Sequence, residues 1–488
     1  MVIESLKYKI LQQFGFAPTQ EQGQALDTFV SFLTDRDPQA VMILRGSAGT
    51  GKTSLSGAIV RTLLQIRQKV MLLAPTGRAA KVFSLGSGAP AYTIHRRIYR
   101  EKTFAGVDGQ FSLNDNLYTD TLFMVDEASM IANMGLGGTT FGSGCLLDDL
   151  VKFVYQGHND RLLLIGDKAQ LPPVGEEESP ALSASVMEGY GLKVYECDLN
   201  EVLRQSQSSG ILYNATLIRQ MITHDAVTGL PLIRFKGFAD IVMMPGAELV
   251  ESLGDSYHHV GMDETMVITR SNKRANIYNN GIRNMVLDRE EELSSGDMLM
   301  IVKNNYFWTE KEKKESGEGS TGAVPAFLAN GDRAKVLRVS NYIELYGFRF
   351  ATLLLLLPDY DDYEMQVTGM LDTLQSEAPA LTHEQQEELF RQVEEDYQHF
   401  VPLKADRMKS IRQDAYFNAL QIKYAYAVTC HKAQGGQWAH VYVDQGYMTD
   451  DMLTPDYIHW LYTAFTRATD KLFLVNWPKE QTCEPTDL

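Results

Sequence analysis

The chain has 488 residues, 44% of them hydrophobic and 22% charged. That excludes a short peptide, a fibrous repeat and a disordered tail, and predicts about two to four domains. The net charge of −17 argues against a generic nucleic-acid sponge. The charge is nevertheless uneven: Arg61 to Lys102 holds nine Lys/Arg and one acid, whereas Asp359 to Asp396 holds twelve acids and one base. Cys145, Cys197, Cys430 and Cys483 have no metal-ligand or disulfide-framework spacing. No apolar segment follows Met1 as in a leader, and runs such as Leu353–Leu357 fall far short of the ~20 residues of a membrane helix. The expectation is a soluble cytoplasmic protein with no membrane partner.

In chain order, Val41–Leu44, Val70–Leu73, Leu122–Val125 and Arg161–Ile165 are short aliphatic runs, as in buried parallel strands. Helix-like stretches such as Thr53–Ile66 lie between them, the pattern of a doubly wound α/β domain. A second set, Thr265–Thr269, His440–Val443 and Lys471–Val475, predicts another α/β unit. Between them the texture turns to β-type runs at Asp332–Ser340 and Phe348–Leu357. Lys311–Ser320 reads as a charged loop, Asp372–Asp396 as an acidic helix and Gly135–Gly144 as a flexible loop.

Gly46-Ser47-Ala48-Gly49-Thr50-Gly51-Lys52-Thr53 fits GxxxxGK[ST] between a strand and a helix. Glycines let backbone N–H groups of Gly46 through Gly51 point at phosphate oxygens, and the helix start adds partial positive charge. Lys52 is expected on the β/γ-phosphates and Thr53 on Mg²⁺. Asp126-Glu127 closes the strand Leu122–Val125; Asp126 suits the metal shell and Glu127 the attacking water. These sites predict a nucleoside triphosphatase using ATP and Mg²⁺.

The remaining motifs resemble, in order and over Pro18 to Leu472, those of superfamily 1 helicases, specifically the 5′-to-3′ (1B) group containing RecD and Dda. Pro18-Thr19-Gln20-Glu21-Gln22 looks like the adenine-reading motif, with Gln22 on the base; it is equally a helix start capped by Thr19. Ala74–Ala80, with Pro75, Thr76, Arg78 and nearby Lys81, and Thr93-Ile94-His95-Arg96 resemble segments holding the DNA backbone. Gly166–Val174 matches GDxxQLPPV, which implies that Gln170 senses the γ-phosphate; Arg204 of Leu203-Arg204-Gln205 is implied as a γ-phosphate arginine. Thr269–Asn272 and Asn330-Gly331-Asp332 resemble two shorter signatures. Thr429–Gln437 resembles the motif spanning DNA and ATP: Thr429 and His431 on the strand, Gln434 and Gly435 on the nucleotide, and Gln437 where the family usually has Glu. Tyr462–Ala468 resembles the last motif, with Arg467 as an arginine finger reaching across the cleft.

The resemblance implies two RecA-like P-loop domains with an inserted hairpin subdomain and an inserted SH3-like β-barrel. Domain 1A spans 1–83 and 119–205 and the hairpin or pin 84–118, with Tyr99, Phe104 and Phe111 as stacking aromatics or, equally, as the small core of a surface hairpin. Domain 2A spans 206–292 and 421–488, and the barrel with its acidic extension 293–420. The implied function is an ATP-dependent helicase on single-stranded and tailed duplex DNA, with replication or repair proteins as partners and an acidic segment turned away from DNA. The rival is an ATP-gated single-strand clamp or assembly subunit. A P-loop kinase or transport ATPase explains Lys52 and Asp126 but not Gln170, His431 and Arg467.

Overall fold

The structure is a computed structural model that describes residues 2–105, 108–135, 142–201, 208–223, 229–316, 325, 327–401 and 403–483. It divides into two compact units, residues 1–246 with 433–488, and residues 247–432. Strands of the first unit up to residue 246 are β1 (Ala40–Gly46), β2 (Lys69–Ala74), β3 (Ala91–Thr93), β4 (Tyr99–Ala105), β5 (Asp108–Leu113), β6 (Thr121–Val125), β7 (Arg161–Gly166), β8 (Lys193–Leu199), β9 (Ile233–Arg234) and β10 (Ile241–Met244).

Six of them form one parallel sheet in the order β3-β2-β6-β7-β1-β8. Alternation along each strand feeds two cores. Met42, Leu44, Leu163 and Ile165 face one side, where the helices Val2–Phe14, Gln20–Thr34 and Lys52–Gln65 pack. Val41, Ile43, Leu162 and Leu164 face the other, against the helix Leu146–Gln156. Burial on both faces explains why these strands read as solid aliphatic runs. β1, β6 and β7 all end at the same edge of the sheet, and the loops leaving them carry the phosphate motifs. The hairpin β4–β5 follows the helix Ile94–Ile98.

The second unit contributes β11 (Thr265–Thr269), β12 (Met298–Ile301), β13 (Arg333–Leu345), β14 (Phe348–Leu357), β15 (Tyr363–Met370), β16 (Leu420–Tyr424) and β17 (Ala427–Thr429). β11 pairs in parallel with β17. Strands β12 to β16 close into a barrel. Its interior takes alternate residues such as Val336, Leu353, Leu355, Val367 and Ile422. The remaining strands, β18 (Trp438–Asp444), β19 (Ala468–Val475) and β20 (Thr482–Cys483), belong to the first unit, where β10, β19 and β18 run parallel. The α/β class, the hairpin and the inserted barrel all appear as the sequence implied. Among the described residues no helix is long and apolar enough to cross a membrane.

Two local expectations fail. Of the Lys311–Ser320 stretch, residues 311–316 are not a loop: Phe307–Ser316 is a helix, anchored where buried Trp308 donates its indole N–H to the Asn418 carbonyl at 2.9 Å, and residues 317–320 lie outside the described residues. The acidic helix expected over Asp372–Asp396 is shorter: Leu371–Thr373 forms a single tight turn, and the helix begins only at His383, where Thr382 and Gln385 form a capping box. That helix and Lys404–Arg412 pack Leu389, Val393 and Ile411 on Phe348, Phe350 and Met370.

The barrel is tied down by one buried carboxylate. Asp297 accepts from Arg283 at 3.1 and 3.0 Å, from Arg289 at 2.6 Å, from Tyr426 at 2.7 Å and from the Ser294 N–H at 2.7 Å. Burial alone would raise its pKa, but these donors hold it below the usual carboxylate range. Asp297→Asn leaves the buried Arg283 guanidinium uncompensated and is expected to cost about 3–5 kcal/mol. A shift of the urea midpoint at unchanged slope measures it; an unmoved midpoint means the network is dispensable.

Candidate functional site: a phosphate cleft

The loop leaving β1 turns through Gly49 and Gly51, both left-handed at φ 77° and 82°, before the helix Lys52–Gln65 begins. A side chain at Gly46 would place its Cβ 2.8 Å from Lys52 Cγ, so glycine there is a packing requirement. Lys52 Nζ donates to the carbonyls of Gly46 and, at 3.0 Å, Ser47. Thr50 Oγ1 donates to the Ser47 carbonyl at 2.8 Å, which tightens the loop. A cleft of about 420 Å³ opens above it.

Its walls come from several separate stretches of the first unit. Ala48, Gly49, Gly51, Lys52 and Thr53 form the floor, and Asp126 and Glu127 follow β6. Asp167 and Gln170 follow β7; Ser209, Ile211 and Leu212 adjoin; Gly435, Gln437 and Thr466 to Thr469 close the far side. Lys52 and Arg467, 415 positions apart in the chain, therefore share one cavity. Burial, then the neighbouring Glu127 charge, pushes the Asp126 carboxyl up to about 7. Glu127 is a non-glycine residue at φ 51°, backbone strain of the kind that clusters at working sites. Its N–H donates to Asp126 Oδ1 at 2.9 Å. Two adjacent carboxylates beside the Thr53 position suit a divalent cation.

Gln170 is buried, and its Oε1 has no partner. A buried acceptor in a phosphate cleft costs free energy unless a ligand or water donates to it. Arg467 is 2% exposed and donates to the carbonyls of Thr463 at 3.1 Å and Gly436 at 3.2 Å and to Thr466 Oγ1 at 3.1 Å. It sits in the wall of the cleft with Lys52, Glu127 and Gln170. Arg204 lies outside the described residues.

Other candidates are placed differently from expectation. Gln22 is buried; its Oε1 accepts from the Thr19 N–H at 3.0 Å and its Nε2 donates to the Thr50 carbonyl at 2.9 Å. The amide thus caps its helix and props the phosphate loop. Gln434 donates to the Leu171 carbonyl at 2.7 Å and does not line the cleft, whereas Gly435 and Gln437 do. Gly435 is left-handed at φ 73°, with Thr76 and Ala79 in the way of any Cβ.

Among the DNA candidates, Thr76 and Thr93 cap helices, accepting from Ala79 at 3.2 Å and Arg96 at 3.4 Å. Pro75 and Lys81 are half-buried beside them and Arg96 is exposed. Arg78 donates to the Gln437 carbonyl at 2.6 Å and lies 4.5 Å over the Trp438 ring, so its fork is engaged within the protein. Burial pushes the His95 imidazole down to about 4. Tyr99 is buried, donating to Asp149 at 2.7 Å, and Phe111 packs on the core, so neither is a free stacking face; Phe104's side chain lies outside the described set. Thr429 and exposed His431 stand in the second unit. There Asn330 Oδ1 accepts from Lys432, a use for the Asn330-Gly331-Asp332 signature.

Three contributors escaped sequence reasoning. Arg219, on the helix Gly210–Thr223, donates to Ser47 Oγ and, at 3.2 Å, to Asn200. Tyr462 donates to Asp167 at 2.6 Å and accepts from the Ala48 N–H at 3.1 Å. The Leu171 N–H donates to Thr463 at 2.8 Å. Only the motif around Arg467 marked the last two.

Residues 17–229 match an AAA domain and residues 424–475 a UvrD-like helicase C-terminal domain. The ATP-dependent RecD2 DNA helicase of Deinococcus radiodurans is 30% identical over 32% of this chain and 18% of that protein. The ATP-dependent DNA helicase dda of phage T4 is 25% identical over 53% of this chain and 55% of its own. Both are named as ATP-dependent DNA helicases, and the chain is similar to them over these stretches. The chain spans less than two thirds of both relatives. Among solved structures, a Bacteroides Pif1 helicase with ADP-AlF3 and single-stranded DNA superposes with a TM-score of 0.46 at 14% identity, covering 96% of this chain and 95% of that one.

Asp126 must shed its proton to hold a cation, and its carboxyl is neutral below about pH 7. Mg²⁺ binding in the presence of ADP, followed by calorimetry, is therefore expected to weaken as pH falls from 8 to 6. A flat profile would show that Asp126 is not a ligand.

Proposed function

We propose that the chain is an ATP-driven DNA helicase that moves 5′ to 3′ along single-stranded DNA and opens tailed duplexes. The observation that carries this reading is the shared cleft of Lys52, Asp126, Glu127, Gln170 and Arg467. The relatives named as ATP-dependent DNA helicases support the activity, and the motif order supports the direction.

The amides of Gly49 and Gly51 and the Lys52 ammonium hold the β- and γ-phosphates. Mg²⁺ would be held by Thr53 and Asp126 and would neutralise phosphate charge. Glu127 orients a water and accepts its proton as the water oxygen bonds to the γ-phosphorus and the bond to the β-phosphate oxygen breaks. Gln170 Oε1 accepts a hydrogen bond from the same water, and Arg467 offsets charge on the transferring group. Thr76, Thr93, His95 and Arg96 in one unit, and Thr429 and His431 in the other, bind the strand. Replication or repair proteins are its partners, and it works in the cytoplasm.

Unwinding of 5′-tailed against 3′-tailed duplexes with ATP tests the reading. Only the 5′-tailed substrate is expected to open, with ATP hydrolysis stimulated by single strands, and Lys52→Ala is expected to lower both by about 100-fold or more. Hydrolysis indifferent to DNA overturns the motor. A 5′-tailed duplex bound but never opened leaves the ATP-gated clamp.

A further inference from the structure

Helix Pro455–Phe465 touches the phosphate site from behind. His459, Tyr462 and Thr463 fall at i, i+3 and i+4 and so share one face. Each meets the loop that follows β7. His459 Nδ1 lies 2.9 Å from the Ala169 carbonyl. Thr463 Oγ1 accepts from the Leu171 N–H at 2.8 Å. Tyr462 donates to Asp167 Oδ2 at 2.6 Å. The Tyr462 oxygen also accepts from the Ala48 N–H at 3.1 Å, so one buried phenol joins the phosphate loop to the Gln170 loop. Asp167 is fixed at its other oxygen, where Oδ1 accepts from Ala169 at 3.0 Å. The same helix leads into Arg467, whose Nε donates to the Thr463 carbonyl.

Three groups needed at the γ-phosphate thus hang on one bridge: the loop that cradles it, the Gln170 amide and the Arg467 guanidinium. We propose that Tyr462 is a positioning residue for hydrolysis, its hydroxyl setting Ala48 and Asp167 in a register at which Gln170 and Arg467 meet the transferring phosphoryl group. The inference rests on the cleft's reading as an ATP-hydrolysing site. It assigns Tyr462 no contact with the nucleotide. A diphosphate engages the loop and Lys52 but leaves Gln170 and Arg467 without a phosphoryl partner, so the bridge matters little for ADP and much for the planar group in flight.

Tyr462→Phe keeps the buried ring and removes both hydrogen bonds. ADP alone is expected to bind within about threefold of wild type, while ADP with aluminium fluoride, which mimics the transferring phosphoryl, binds about tenfold more weakly. In turnover, kcat falls about tenfold with KM for ATP within about threefold. A merely structural tyrosine would weaken both ligands alike; that result, or no change in either, overturns the proposal. Asp167→Asn, which retains an oxygen acceptor but loses the charge, is the second variant, with the same selective loss at smaller size expected if Tyr462→Phe fails to fold; equal losses for both ligands overturn the proposal here too. Wild-type protein that hydrolyses no ATP would sink the functional reading, whereas the ADP against ADP–aluminium fluoride comparison still decides the role of Tyr462.

Discussion

A phosphate cradle made of backbone amides works only if the loop is held so that several N–H groups point the same way. The Thr50 bond to the Ser47 carbonyl tightens the loop from within, but two left-handed glycines leave it in need of outside support. Distant side chains supply it here: Gln22 holds the Thr50 carbonyl, Arg219 holds the Ser47 hydroxyl and Tyr462 holds the Ala48 amide. The three supports come from the start, the middle and the end of the polypeptide. The Tyr462 support joins residues 433–488 to residues 1–246, as does the pairing of β19 with β10. A loop that must be rigid recruits the chain around itself, and the elements so recruited are then at hand to follow what the loop binds.

Electrostatics at the same place are arranged for a ligand of mixed charge. Lys52 has only carbonyl partners in the described structure, at Gly46 and Ser47, so its ammonium is not neutralised by a carboxylate. Asp126, a strand end away, is buried next to Glu127 and is held near neutrality by that crowding. A lone anion would suit the lysine and repel the carboxylates; a lone cation would do the reverse. A phosphate chain with a divalent metal satisfies both, and the Gln170 oxygen without a partner adds an acceptor for a water between them.

Most of this was legible in the sequence because the phosphate loop and the acid pair are local: strand, glycines and helix start lie within a few residues. The parallel strands were legible for the same reason, since burial on both faces leaves an uninterrupted aliphatic run. What was missed is long-range. Gln22 and Gln434 each carry an amide that can read a base or a ribose as easily as a peptide carbonyl, and the sequence does not say which partner arrives. The structure gives both amides to backbone, of Thr50 and Leu171. Arg78 looked like a phosphate ligand because it sits in a basic stretch, but a guanidinium also stacks on aromatics, and Trp438, 360 positions away, takes it. The acidic helix was begun too early because charge count overlooks the capping box of Thr382 and Gln385 inside the run.

Arg467 shows how the seat of a residue changes its meaning. The sequence expectation was a finger that reaches across a cleft. The side chain instead spends three N–H groups on Thr463, Gly436 and Thr466 and is almost wholly buried. A guanidinium has five N–H donors, so a phosphoryl oxygen can engage it without breaking this tether. Its charge then acts from a fixed place and requires no reorganisation of the side chain as charge builds on the phosphorus. Movement, if hydrolysis drives it, must come from the element that holds the arginine. That element is the helix Pro455–Phe465, whose face is bonded to the loop carrying Gln170, so a change at the phosphate is passed to the backbone through short hydrogen bonds rather than through a long flexible side chain.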